Sequence, residues 1–311
     1  MTLLSFVIPC YRSEKTIKKV IDEIITTVSQ KSGYDYEVIA VNDGSPDGVY
    51  GVLQELALHN PKIKVINLAK NMGKHAAVMA GYAYVNGEYI VNLDDDYQSP
   101  VDHLWELVAP VEADLCDVAT AEYAEKKEAR WKKIGSNFNM LITEIMLDKP
   151  KGLRMENLNV VKRFVVDEVI RYKNPYPFVE GLILGVTKRV ITVPMEQRDR
   201  GDDKGTGFTF FKSLALFSNG LTNFSVKPLR IAMIAGLMFS ILGFLYGVYI
   251  IINRFIHPEL AAGWSSLMAV MLFSSGIIML LLGVIGEYVG RIFICLNNAP
   301  QYVVRNTINT K

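Results

Sequence analysis

The chain has 311 residues, half of them hydrophobic, with 33 basic and 32 acidic side chains and a formal net charge of +1. That balance excludes a disordered acidic segment, a histone-like polycation and a collagen-like repeat. The length allows one large domain or two modest ones, at roughly 100–200 residues each.

In chain order, Leu3–Pro9 is a short apolar run ending in proline, the first predicted strand. No basic segment precedes it, so no secretory signal peptide is expected. Ile17, Val20, Ile21, Ile24, Ile25 and Val28 recur at helical spacing. Glu37–Val41 is the second strand, followed by a turn at Gly44–Gly48 and a helix carrying Val49, Val52, Leu53 and Leu56. Lys64–Leu68 is a strand, Lys74–Val85 an alanine-rich helix, and Tyr89–Leu93 a strand running into three aspartates. Asp102–Val111 is a helix and Asp117–Thr120 a fifth strand. Strands alternating with helices of this length predict an α/β fold, a doubly wound, mostly parallel sheet. Ligands then bind beyond the carboxyl ends of the strands.

The charge is unevenly placed. Residues 231–311 hold only Arg254, Glu259, Glu287, Arg291, Arg305 and Lys311. Ile231–Ile252 and Trp264–Gly286 are uncharged runs, each long enough to cross a hydrocarbon core of about 30 Å. Both are apolar all round, which favours a transmembrane hairpin over buried core helices. Lys212, Lys227 and Arg230 precede the first run, and Arg291, Arg305 and Lys311 follow the second. The positive-inside rule therefore puts both termini and the large domain in the cytoplasm. Phe210, Leu214, Phe217, Leu221 and Phe224 mark an amphipathic helix lying in the headgroup layer or packed on the domain. The expected divisions are a domain over 1–205, this helix over 206–230, spans over 231–252 and 264–286, and a tail over 287–311. Cys10, Cys116 and Cys295 are read as free thiols, since three widely spaced cysteines make neither a disulfide framework nor a CxxC metal site.

Four polar segments follow the first four strands: Pro9–Glu14, Asn42–Gly48, Asn71–Lys74 and Asp94–Gln98. No GxGxxG follows the first strand and no Walker lysine loop occurs, so dinucleotide and P-loop readings are disfavoured. The triplet Asp94-Asp95-Asp96 is the sharpest feature. Adjacent carboxylates repel, and something must neutralise them. In an extended conformation Asp94, Asp96 and Gln98 share one side. That set suits Mg²⁺, which takes one or two carboxylates and fills its shell with phosphate oxygens and water. The pattern points to a nucleotide diphosphate held through a metal, against the plainer reading of a solvated acidic turn. Asp43 either accepts from a base N–H or forms an Asp-Gly turn. Lys74 either pairs with phosphate or is solvated. Lys126, Lys127, Arg130, Lys132 and Lys133 form a basic run that either attracts an anionic headgroup or starts a charged helix.

Taken in order, "VIPCYRSE", "VNDGSPDG", "KNMGKHAAVMAGY", "LDDDYQSP", "NGLTNFSVKPLR" and "GEYVGRIF" resemble glycosyltransferase family 2. They are similar in particular to its membrane-bound polyprenyl-phosphate branch, the bactoprenol glucosyltransferases and dolichyl-phosphate mannose synthases. The resemblance covers nearly the whole chain. It implies a GT-A, Rossmann-like domain with a two-helix hairpin, and inverting transfer of one hexose from a UDP-sugar, UDP-glucose first and UDP-N-acetylglucosamine second, to undecaprenyl phosphate. It implies nucleotide-sugar contacts at Pro9, Tyr11, Glu14, Asp43, Ser45, Lys74, Asp94 and Asp95. Mg²⁺ or Mn²⁺ falls to Asp94, Asp96 and Gln98, and the acceptor phosphate to Lys132, Ser136, Arg198, Arg200 and Lys204. The catalytic set is Asp94, Asp96, Glu156 and Asn157. The sequence departs from the family's pattern at Arg12-Ser13, where Asn-Glu is usual, and at Asn157, where relatives carry an acid often assigned as base. It departs again in the basic segment "QRDRGDDKGTGF".

The implied setting is the inner or plasma membrane, multi-pass, with a homo-oligomer such as a tetramer, a downstream flippase, a membrane glycosyltransferase acting on a cell-surface glycan, and no nucleic-acid partner. Gly243 and Gly247 stand four apart, as in GxxxG. A processive polysaccharide synthase is disfavoured because Arg200 is followed by Gly201 where QxxRW needs tryptophan. A non-catalytic membrane scaffold is the other rival.

Overall fold

The structure is a computed structural model describing residues 1–123, 153, 155–198, 227–256, 263–297 and 299–310. It divides into two compact units, Met1–Ser213 with Asn298–Lys311, and Leu214–Asn297.

The first unit opens with β1 (Thr2–Cys10), α1 (Ile17–Ser29), β2 (Tyr34–Asn42), α2 (Val49–His59), β3 (Ile63–Leu68), α3 (Lys74–Tyr82) and β4 (Tyr89–Asn92). A 3₁₀ turn at Val101–His103 leads into α4 (Leu104–Glu112) and β5 (Val118–Tyr123). After residue 153 come β6 (Asn159–Lys162), α5 (Arg163–Val169), α6 (Val179–Val186) and β7 (Val190–Met195). One eight-stranded sheet has the order β7-β5-β6-β4-β1-β2-β3, closed at the far edge by β8 (Val304–Ile308). β1 pairs in parallel with both β2 and β4, and β2 with β3. β6 is antiparallel to β4 and β5, and β8 to β3.

Alternation along the strands builds two cores. Leu4, Phe6 and Ile8 of β1 face the layer of α1, α2 and α4, whereas Val7 faces α3, α5 and α6. Helix α1 forms because Ile17, Val20, Ile21, Ile24 and Val28 fall on one stripe and are all buried. Each such side chain contributes about 1.5–3 kcal/mol by leaving water. Where the central strands begin, Glu37 is buried with its charge fully engaged. It accepts from Ser5 Oγ at 2.6 Å and pairs with Lys64 at 2.7 Å.

The ends of the elements differ from expectation in instructive ways. α3 stops at Tyr82 rather than Val85, and β4 stops at Asn92, ahead of the aspartates. The segment expected as a tail over 287–311 divides in two. Its first residues extend the second apolar helix to Leu296, and its last residues form β8. Backbone pairing holds β8, together with side chains at its margins. Asn67 Nδ2 donates to Asn306 Oδ1 at 2.9 Å, and Asn309 Nδ2 donates to the carbonyls of Ala57 at 2.7 Å and Ile63 at 3.0 Å.

The second unit holds α7 (Lys227–Ile256) and α8 (Trp264–Leu296). At 1.5 Å per residue they are about 45 and 50 Å long. Phe239 and Phe273 meet between them with ring centroids 5.5 Å apart. Met233, Leu237, Leu245 and Ile252 on α7 are exposed, as are Val270, Met279, Leu282 and Phe293 on α8. Within α8, Phe273–Leu296 is long and apolar enough to cross a membrane, with mean hydropathy 2.0. It overlaps the expected span 264–286 over residues 273–286. Most of the predicted amphipathic segment 206–230 falls outside the described residues.

Candidate active site

Strand order reverses around β1, whose neighbours are β2 on one side and β4 on the other. A crevice opens beyond the carboxyl ends of the strands at such a reversal. Here it is a cavity of about 210 Å³ lined by Pro9, Tyr11, Asp43, Gly73, Lys74 and Asp94, among others.

Its walls are loops braced against one another. Asp43, buried at the end of β2, accepts from the backbone N–H of Met72 at 2.7 Å and Gly73 at 3.0 Å. Burial pushes its pKa up, and those two bonds oppose the rise. Gly44 lies at φ +57°, and a Cβ there would stand 2.5 Å from the Asn71 nitrogen, so only glycine permits these loops to meet. Glu14 and Ser45, expected in the nucleotide pocket, serve as braces in this structure. Gly48 N donates to Glu14 Oε2 at 3.1 Å, Glu14 N donates to Asp47 Oδ2 at 3.1 Å, and Arg12 N donates to Ser45 Oγ at 2.8 Å. The Tyr11 ring, in contrast, is exposed at the rim.

The three aspartates do three different things. Because β4 ends at Asn92, strand parity does not extend through them. Asp94 pairs with the Lys74 ammonium and accepts from the Asn157 amide. Asp95 turns back toward the β1 loop and accepts from Tyr11 N at 2.9 Å. Burial is the main reason its pKa is pushed up to about 6, and the adjacent charges of Asp94 and Asp96 add to the rise. Asp96 accepts from Gln98 N at 3.1 Å. Tyr97 then takes φ +63° to turn the chain.

Arg198, expected at a phosphate, is committed elsewhere in this structure. Its guanidinium donates to both Glu23 oxygens, at 2.8 and 2.6 Å, and to Asp102 at 2.6 Å, and it lies over the Tyr97 ring. Those anions hold its pKa well above the ordinary range, Glu23 most of all. Glu156, read as a substitute base, is positioned through its backbone, whose N–H donates to Thr120 Oγ1 at 3.0 Å. Asn157, not Glu156, lines a cavity beside Asp94. Lys132, Ser136, Arg200 and Lys204 lie outside the described residues, as does the basic run at 126–133.

Among the described residues no cluster of three or more His, Cys, Asp or Glu could by itself cage a metal. The donors present suit instead the Mg²⁺ mode, in which one or two carboxylates share the ion with a bound diphosphate. Asp94 lines the cavity, and Asp96 follows it two residues along the same loop. Cys10 and Cys116 are buried free thiols, and burial raises the Cys10 pKa well above its ordinary value.

The profile described as "Glycosyl transferase family 2" matches residues 5–169, more than half of the chain. The chain belongs to glycosyltransferase family 2. The profile described as "GtrB C-terminal hairpin" matches residues 227–292 of this glycosyltransferase. Over 97% of its length it is 32% identical to the uncharacterized glycosyltransferase YkcC of Bacillus subtilis strain 168, covering 93% of that protein. It is 28% identical to the SfII prophage-derived bactoprenol glucosyl transferase of Shigella flexneri, over 98% of both chains. It is likewise 28% identical to undecaprenyl-phosphate 4-deoxy-4-formamido-L-arabinose transferase of Proteus mirabilis, over 99% of this chain and 94% of that one. The mannosyl-3-phosphoglycerate synthase of Rubrobacter xylanophilus superposes with a TM-score of 0.54 at 16% identity, covering 74% of each chain. That likeness shows the GT-A-like fold.

Four residues of this site were not singled out from sequence: His75, Asn92, Asn159 and Glu180, which line a second, smaller cavity beside Asp94. Asn92 and Asn159 had a signal, as polar residues ending or starting otherwise apolar strands. Glu180 had one too, as a lone acid in the apolar run 177–186.

Proposed function

We propose that this glycosyltransferase moves a single hexose from a UDP-sugar, UDP-glucose first, onto undecaprenyl phosphate with inversion at the anomeric carbon. The acceptor follows from relatives named for bactoprenol and undecaprenyl phosphate. Asn157 is the observation that carries the mechanism. An amide stands beside Asp94, at the position where the family resemblance implies an acid, and an amide takes no proton at neutral pH. A sugar hydroxyl acceptor would need a general base. A phosphate monoester does not, because its second pKa near ~6 leaves it mostly dianionic at pH 7.

In this reading a phosphate oxygen of the lipid attacks C1 of the sugar. The bond from C1 to the β-phosphate oxygen breaks, and its electron pair leaves with UDP. The protein aligns the two partners and neutralises the departing charge. Lys74, beside Asp94 at the cleft wall, is the described cation placed for that task. Asp94 and Asp96, with Gln98 nearby, would hold Mg²⁺ or Mn²⁺, which when bound supplies positive charge against the diphosphate. Lys132, Ser136, Arg200 and Lys204 remain candidates for the acceptor phosphate. Arg198 could join them only by leaving Glu23 and Asp102. The two apolar helices would anchor the enzyme in the membrane with both termini cytoplasmic. A homo-oligomer and a downstream flippase and membrane glycosyltransferase complete the proposed setting.

Two substitutions test the base-free mechanism in the purified full-length protein. Asp96→Ala should abolish transfer, while Glu156→Gln should keep at least a tenth of it. A Glu156→Gln protein that binds UDP normally but transfers nothing would make Glu156 the base and defeat the proposal.

A further inference from the structure

Beside the nucleotide cleft lies a small cavity of about 30 Å³. The two share Pro9, Lys74 and Asp94 as a common wall. A ligand whose diphosphate lies at Lys74 and Asp94 therefore has the nucleotide on one side and this cavity on the other.

The cavity has an apolar wall of Val78, Leu93, Val179 and Ile183, interrupted by a few polar side chains. Asn92 is only 7% exposed, and its Oδ1 has no hydrogen-bond partner among the described residues. The orientation of that amide is fixed by its neighbours. Asn159 Nδ2 donates to the Glu156 carbonyl at 2.8 Å, so Asn159 Oδ1 must accept, and it accepts from Asn92 Nδ2 at 2.8 Å. Asn92 Nδ2 also reaches the Tyr82 hydroxyl at 2.8 Å. On α6, Glu180 Oε2 is buried and accepts no hydrogen bond among the described residues; His75 Nδ1 lies 3.5 Å away, at ion-pair range and beyond the usual hydrogen-bond range. Two residues lining the cavity thus each carry a buried oxygen that accepts no hydrogen bond among the described residues. Such groups cost free energy unless a ligand or water supplies the hydrogens.

We infer that this cavity is the subsite for a hydroxyl of the transferred hexose, with Asn92 Oδ1 and Glu180 Oε2 as its acceptors, and that Glu180 is a specificity-determining residue. The inference rests on the donor reading above and goes further, because it selects among donors. A hydroxyl is one heavy atom and a cavity of this size holds about one water-sized group. An acetamido group has four heavy atoms and brings a carbonyl oxygen toward a carboxylate. The subsite therefore favours a plain hexose over an N-acetylhexosamine. Sites built to hydrogen-bond a hydroxyl reject analogues that lack it far more strongly than apolar pockets reject a methylene.

The test is calorimetric binding of UDP, UDP-glucose, UDP-galactose and UDP-N-acetylglucosamine to the full-length protein in detergent with Mg²⁺ or Mn²⁺. One plain hexose donor should bind about tenfold more tightly than UDP, and UDP-N-acetylglucosamine should show no such gain. Glu180→Gln should erase that gain while leaving the affinity for UDP itself unchanged, which also shows that the variant is folded. Monodeoxy analogues of the preferred donor, tested on the unaltered protein, need no variant at all. One of them should lose the same factor and then be indifferent to Glu180→Gln. A gain that survives Glu180→Gln, or monodeoxy donors that all bind like the parent, would overturn the inference while leaving the donor reading intact. Failure of the unaltered protein to bind UDP or any UDP-sugar would overturn both.

Discussion

Asp95 offers a sharp test of how the acidic triplet is divided. Its carboxylate serves the β1 loop through Tyr11 N, and burial lifts its pKa to about 6, against about 3.9 in an unfolded chain. A carboxyl with a raised folded pKa binds its proton more tightly when native, so its ionisation opposes folding. The stabilisation is complete below about pH 4 and is lost as pH rises through 6. Integrating those two values, Asp95 costs the fold roughly 1.3 kcal/mol between pH 5 and pH 7. Asp95→Asn removes that dependence. Replacing the neutral acid by an amide beside Tyr11 N adds only a pH-independent offset, which cancels when the variant is compared with itself at two pH values. For a domain of this size about 1.3 kcal/mol corresponds to roughly 3–5 °C in melting temperature. Thermal melts of both full-length proteins in one detergent, at pH 5 and pH 7, measure the effect. The variant should gain about that much relative to the unaltered protein on going to pH 7. An offset that stays constant across the range would refute the assignment of a half-buried, high-pKa carboxyl to Asp95.

Other consequences follow from the same geometry. Lys74→Met removes the cation paired with Asp94 and should lower turnover by about 10²-fold, the scale of losing one charge-stabilising donor, as measured by radiolabelled transfer. Arg198→Ala should leave UDP affinity within about twofold by calorimetry but lower the melting temperature, since it breaks the contacts to Glu23 and Asp102 and touches no residue of the cleft wall. Asn309→Ala removes two bonds to backbone carbonyls and puts alanine at φ +57°. It should cost about 2 kcal/mol and loosen β8, read as faster hydrogen exchange across β3.

How far the sequence alone reached can be traced residue by residue. The first five strands and four helices were legible because Ile17, Val20, Ile21 and Ile24, and the apolar runs of β1 to β4, are buried on both faces of the sheet and leave an unmistakable period. β8 was not, because Arg305, Asn306 and Thr307 belong to an edge strand with little apolar content. Its partners, such as Asn67 and Ala57, are far away in sequence. In the site, Pro9, Tyr11, Asp43, Lys74, Asp94 and Asp95 do line one cavity, since a parallel sheet delivers successive strand ends to one rim. The roles within it were harder to read. The division of labour among the aspartates depends on β4 ending two residues before Asp94, and the bracing by Glu14 and Ser45 depends on loop packing. Glu180 reaches the site from α6, and only the tertiary fold brings it there.

The most direct test is transfer by purified full-length protein in detergent, with undecaprenyl phosphate, Mg²⁺ or Mn²⁺ and radiolabelled UDP-glucose, beside an Asp94→Asn control. One labelled sugar per lipid is expected, with inverted anomeric configuration and absent from the control. Intact UDP binding with no labelled lipid from any UDP-hexose, or a product carrying several sugars, would contradict it.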